Sequence, residues 1–221
     1  MSILFKKTLG IPLTNGIEVS GDLTIPADAK GIVVFSHGSG SSRLSPRNRM
    51  VADYLVQQQF GTLLFDLLTP EEDRDYDNRF NIRLLTERLV AVSEWLYSFP
   101  QAKGYNQAYF GASTGAAAAL YAAAVEGSEI AAVVSRGGRP DLAMEAFITL
   151  KAPTLLIVGG ADTEVLHLNQ KALDHMHCTK KLEIVAGATH LFEEKGTMEQ
   201  VCVLAGTWLQ QYLHPVRMIP D

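Results

Sequence analysis

The sequence predicts an α/β fold: a mostly parallel, doubly wound sheet with helices on both faces and no large lid. Three observations lead there. Short apolar runs recur along the chain, most of them separated by enough residues for a helix. Amphipathic or alanine-rich segments fill those intervals. Polar residues of catalytic types stand just after the apolar runs, at the carboxyl edge where such sheets bind ligands.

Taken in order, IEVSGDLTIP (17–26) alternates apolar and polar residues and predicts a half-exposed strand at a sheet edge. GIVVFS (31–36), GTLLFD (61–66), QAYFGA (107–112), IAAVVS (130–135) and PTLLIVGG (153–160) are short and rich in Val, Ile, Leu and Phe. They predict parallel strands buried on both faces, and KLEIVAG (181–187) closes the series. A first helix is expected over 46–59, opened by Ser45 as N-cap and Pro46 at the first helical position. A second, over 79–98, carries Ile82, Leu85, Leu89, Val92 and Leu96 on one face. Helices over 114–126, 163–177 and 196–213 follow. Residues 136–152 leave room for a short helix but not for a lid domain. No repeat or composition shift divides the chain, so 1–221 reads as a single α/β domain.

Composition narrows the function. The net charge of −5 argues against a nucleic-acid partner, whose phosphates need a basic face. Two cysteines in unrelated contexts, Cys178 and Cys202, give no disulfide framework and suit a reducing cytoplasm. MSILFKKTLGIPL lacks the order of a secretion signal, since Lys6 and Lys7 follow its short apolar run. The alanine-rich stretch 116–125 falls short of the roughly 20 residues that cross a bilayer. A soluble cytoplasmic protein is the expectation, with no membrane partner and with its oligomeric state open.

GASTG (111–115) stands between a strand and an alanine-rich helix. A nucleophilic serine there needs its hydroxyl raised above the sheet on a turn where side chains two residues away would collide, and Gly111 and Gly115 remove them. Serine is a weak nucleophile unless a base lies within reach and a carboxylate orients that base. His190, in AGATHLFEE, and Asp162, in VGGADTEV, follow later strands and would emerge at the same edge. For the developing oxyanion, the N–H of Thr114 is one expected donor. The glycine-rich HGSGSS loop would supply the second from Ser39, with Gly40 as the alternative.

SHGSG, GASTG, GGAD and GATH, in that order on an alternating strand–helix chain, resemble the α/β-hydrolase superfamily. The short, lidless chain is similar to its dienelactone hydrolase-like branch over about residues 16–213. The resemblance implies Ser113 as nucleophile, Asp162 as acid and His190 as base. Two positions depart from dienelactone hydrolase itself. Ser113 stands where that enzyme carries cysteine, and SHG stands where it carries an activating glutamate. Ester hydrolysis therefore carries over more directly than lactone specificity.

The expected activity is cleavage of a small carboxylic ester, thioester or lactone through an acyl-enzyme, with no cofactor or metal. The competing expectation is a hydrolase fold that serves as a non-catalytic binding or partner module. Other residues have plainer readings. His37 would anchor the loop it precedes, and Asp66 is the reserve carboxylate. His175, His177 and Cys178 lack a fourth ligand at a metal-site spacing. TPEEDRDYDNR (69–79) reads as a solvated loop. Arg136, with Arg43 and Arg47 approaching from the other side, is a candidate to read a substrate carboxylate or phosphate. The alternative for Arg136 is a bracing ion pair with Asp141 or Asp162.

Overall fold

The computed structural model describes residues 2–215. Eight strands form one sheet: β1 (Ile3–Pro12), β2 (Glu18–Pro26), β3 (Ile32–Ser36), β4 (Gly61–Phe65), β5 (Gln107–Ala112), β6 (Ile130–Arg136), β7 (Thr154–Gly159) and β8 (Lys180–Val185). Their order is β1-β2-β4-β3-β5-β6-β7-β8. β1–β2 and β2–β4 pair antiparallel, and all pairs from β4 to β8 are parallel. Five α-helices connect or close the strands: α1 (Pro46–Gln57), α2 (Ile82–Ser98), α3 (Thr114–Glu126), α4 (Thr163–His175) and α5 (Thr197–Tyr212).

The apolar runs are strands because they serve two cores at once. Along β3, Ile32 and Val34 face one layer while Val33 and Phe35 face the other. The first layer is covered by α2, α3 and α4, the second by α1 and α5. Burying a side chain of this size contributes about 1.5–3 kcal/mol, so a polar residue without a hydrogen-bond partner within these strands would be costly on either face. On α2, Leu85, Leu89, Val92 and Leu96 are buried as their spacing predicts.

α3 differs from the others. Alanines 116–119, Leu120, Ala122 and Ala123 are all fully buried, so the helix is enclosed almost all round. Small side chains let it lie close on the sheet. A Cβ at Gly111 would strike the backbone of Ala116, and one at Gly115 would strike the carbonyl oxygens of Ser36 and His37.

Four differences from the sequence reading have local causes. β1 is a strand the sequence does not announce, because this edge strand leaves most of its residues exposed and only Ile11 fully buried. β2 therefore lies one place in from the edge. α2 starts at Ile82, not at residue 79, because the Asn81 side chain accepts from Leu84 N at 3.1 Å and caps it there. The charged segment 69–79 is folded rather than loose. Thr69 and Glu72 exchange reciprocal bonds of 2.8 and 3.2 Å, and Glu72 holds the buried Arg88 at 2.6 Å. Residues 140–148 form 3-10 turns rather than a continuous helix.

Candidate active site

Ser113 is the single residue between β5 and α3, with φ 51° and ψ −122°. A side chain in that backbone region costs on the order of 1–3 kcal/mol and persists only where neighbours impose it. The neighbours are visible. Ser113 N–H donates to Arg136 O at 3.3 Å, and Ser113 O accepts from Arg139 N at 3.2 Å and from Ala116 N at 3.1 Å. The elbow is thus tied both to its own helix and to the loop after β6.

Asp162 follows β7 at the N-terminus of α4, and His190 lies in the loop after β8. His190 Nδ1 and Asp162 Oδ2 are 2.7 Å apart. The two loops are pressed together at Gly159, where a Cβ would meet the carbonyl oxygens of Ala188 and Thr189. Glu194 steadies the His190 loop by accepting from Thr189 N at 3.1 Å and Thr189 Oγ1 at 2.7 Å. With Nδ1 engaged by the carboxylate, Nε2 is the ring nitrogen left for other chemistry.

Ser113 and His190 line one cavity of about 220 Å³, together with Gly38, Ser39, Arg47, Asn48 and Arg136. Ser113 Oγ makes no direct hydrogen bond to His190 in this structure, and such contacts commonly tighten only when substrate binds. Larger hollows lie along β1–β2 and between α1 and α5, but neither reaches Ser113 or His190.

The expected oxyanion donors fare differently. Thr114 is the first residue of α3, so its N–H has no partner within the helix. The Ser39 N–H, however, donates to Thr114 Oγ1 at 2.9 Å and is not free. Gly40 has φ +68° and borders open space. Gly38 lies nearest the elbow: a Cβ there would stand 3.1 Å from Ser113 Cβ and 3.2 Å from Ala112 O. In the sequence, a glycine two residues past the end of β3 is the signal for such close backbone approach.

Beside this cavity lies a second hollow, lined by His37, Arg43, Asp66, Thr69 and Asp73. His37 Nε2 accepts from Leu67 N at 3.0 Å, which places the ring proton on Nδ1, 3.0 Å from Gly38 O. Burial holds the His37 pKa below the ordinary histidine value. His37 thus ties the end of β3 to the end of β4. Asp66 accepts from Arg43 N at 2.9 Å and from its guanidinium at 2.8 Å, and Asp22 lies 3.7 Å from the same guanidinium. Arg43 is paired with two carboxylates, lines the second hollow and does not line the Ser113 cavity.

Arg136 does line it. Neither of its expected partners holds it: Asp141 is gripped by Arg139 at 2.9 and 2.8 Å, and Asp162 by His190. Arg136 is only 7% exposed, donates to Asn48 Oδ1 at 3.3 Å and stacks 5.8 Å over the Phe192 ring. Burial first, and the charge of Arg47 second, lower its pKa to about 10. His175, His177 and Cys178 do not converge, and among the described residues no three such side chains are grouped to hold a metal ion.

Residues 31–173 match the sequence model of the alpha/beta hydrolase fold. A curated Mycobacterium tuberculosis protein, named a phosphoribosyl transferase, is 55% identical over 197 residues, which is 89% of this chain and 44% of that protein. The chain therefore spans less than half the length of the curated relatives it matches. A dienelactone hydrolase structure from Anabaena variabilis is 47% identical and superposes with a TM-score of 0.93, covering 97% of this chain and all of that one. A Pyrococcus furiosus esterase shares the fold at 19% identity and a TM-score of 0.76, over 95% of this chain and 93% of its own. No helix among the described residues is long and apolar enough to cross a membrane. With the sheet order, the serine elbow and these matches together, the chain belongs to the α/β-hydrolase family, in its dienelactone hydrolase-like branch.

Proposed function

We propose that the chain is a serine hydrolase that cleaves a small carboxylic ester, thioester or lactone through an acyl-enzyme. Ser113 Oγ attacks the carbonyl carbon while His190 Nε2 takes its proton. Asp162 holds the imidazole by Nδ1–H and stabilises the imidazolium that forms. Thr114 N–H and a second N–H from the 38–40 loop receive the oxyanion, for which the Gly38 backbone is best placed. The imidazolium then protonates the leaving alcohol or thiol. Water, deprotonated by His190, releases the acid and restores Ser113. None of these steps calls for a cofactor. A cytoplasmic location suits the two free cysteines.

The observation that carries this reading is the 2.7 Å His190–Asp162 bond on the wall of the cavity that Ser113 enters from a strained elbow. A lone serine between two glycines would not need the other two groups. The transferase name of the mycobacterial relatives does not extend to this chain, which spans 44% of their length and matches the hydrolase fold. A fluorophosphonate probe followed by mass spectrometry of the labelled peptide tests the proposal. The expected result is a single adduct on Ser113. An adduct on another serine overturns the assignment, and an unlabelled, inert protein favours a non-catalytic module.

A further inference from the structure

Around the Ser113 cavity the carboxylates are committed and two guanidiniums are not. Asp162 serves His190, Asp141 serves Arg139 and Asp66 serves Arg43. Arg136 comes from the last residue of β6, beside Ala112 of β5, and Arg47 from the first turn of α1. The Nε of each is buried without a hydrogen-bond partner. Among the described residues, the one carboxylate paired with Arg47 is Glu193, 3.6 Å away on a side chain 67% exposed. Among the described residues, Arg136 meets the neutral Asn48 oxygen and the face of Phe192 and no carboxylate. A buried cation without a counter-charge is costly, and the Phe192 stack covers one face of the guanidinium but satisfies none of its donors.

We propose that Arg136 and Arg47 form an anion-binding subsite beside Ser113 that takes a carboxylate or phosphate group carried by the acyl part of the substrate. The planar donor fork of each guanidinium matches two oxygens of such a group. A cavity of about 220 Å³ limits the acyl group to a short one. Half-esters of small dicarboxylic acids and short phosphate-bearing acyl groups fit that description. Burial and mutual repulsion already pull the Arg136 cation toward its neutral form, and a bound anion would relieve both. As a statement about substrate, the proposal rests on the serine hydrolase reading; as a statement about anion binding, it does not.

The test has two arms. Calorimetric titration of inorganic phosphate and of acetate into the Ser113→Ala protein reads the subsite without turnover. Binding of one or both is expected, weakened about tenfold or more by Arg47→Met and by Arg136→Met, and the tighter ion identifies the group recognised. Arg47 is half-exposed, so its variant keeps the test sound if Arg136→Met fails to fold. In the second arm, kcat/KM is compared for a 4-nitrophenyl half-ester of succinate and for 4-nitrophenyl butyrate. The half-ester is expected to be preferred at least tenfold, with the preference collapsing in Arg47→Met. Neither ion binding, or equal losses on both esters, overturns the subsite while leaving the hydrolase reading intact. Arginine-dependent ion binding without any ester turnover does the reverse.

Discussion

Two hollows open side by side at the carboxyl edge of the sheet, and both contain a histidine and an arginine with an aspartate at hand. In the hollow over β4, the aspartate goes to the arginine: Asp66 grips Arg43, and His37 is left to accept a backbone N–H. In the cavity over β5 and β6, the aspartate goes to the histidine: Asp162 grips His190, and Arg136 is left without a carboxylate. The same residue types thus give a neutralised, cross-braced corner in one place and a polarised site in the other. Which partner the carboxylate takes decides between them. An imidazole held by a carboxylate is a poised base, whereas one held by the backbone is a strut.

Substitutions can break that contrast. The largest effect belongs to Ser113→Ala, expected to lower kcat by roughly 10⁶-fold and abolish fluorophosphonate labelling. Retained activity would remove the serine from the chemistry. Next comes Asp162→Asn, expected to cost about 10⁴-fold in kcat because the imidazole takes the wrong tautomer. Asp66→Asn, its counterpart in the second hollow, should stay within a few-fold of the parent and lower Tm by about 2–4 °C through loss of roughly 1 kcal/mol of partly exposed ion pairing. Kinetics on the pair decide the matter: a reversed order of activity losses would exchange the roles of the two carboxylates.

Gly115→Ala sharpens the comparison through the backbone that separates the hollows. Its methyl group would press on the Ser36 and His37 carbonyls, and a loss on the order of 3 kcal/mol in denaturant unfolding is expected. An unchanged midpoint would mean that α3 can lift off the sheet without penalty. The smallest effect concerns pH. Burial depresses the His37 pKa below 6.5, so the unfolded chain takes up a proton that the folded chain refuses. Stability from this source is complete above about 6.5 and is lost as pH falls from there toward the lowered folded value. His37→Gln should flatten that part of the stability–pH curve, and a curve of unchanged slope would show that His37 takes up its proton as readily in the fold as in the unfolded chain.

Much of this was legible in the residues, for a physical reason. Strands buried on both faces are mostly apolar, so β3 to β7 announce themselves as runs, whereas β1, exposed along an edge, has no such demand and gives no such signal. Ser113, Asp162 and His190 stood out because each follows a strand in a glycine-containing turn. What could not be read was convergence and competition. Arg47, Asn48 and Phe192 reach Arg136 from α1 and from the loop after β8, and no spacing along the chain encodes that meeting. Nor does any spacing reveal that a threonine hydroxyl beside the serine would claim the Ser39 N–H.

The order of the strands has a temporal consequence. Ser113, Asp162 and His190 arrive on three separate connections, after β5, β7 and β8, and every pairing that joins those strands is parallel and bridges distant parts of the chain. Such pairings form slowly, because the loop entropy is lost before any contact repays it. The strained elbow also lacks two of its three backbone ties until Arg136 and Arg139 dock beside it. A chain leaving the unfolded state would therefore acquire helices and collapse before it acquires the proposed serine nucleophile. In a refolding experiment, the covalent capture of Ser113 would act as a clock that starts only when the last strands are in register.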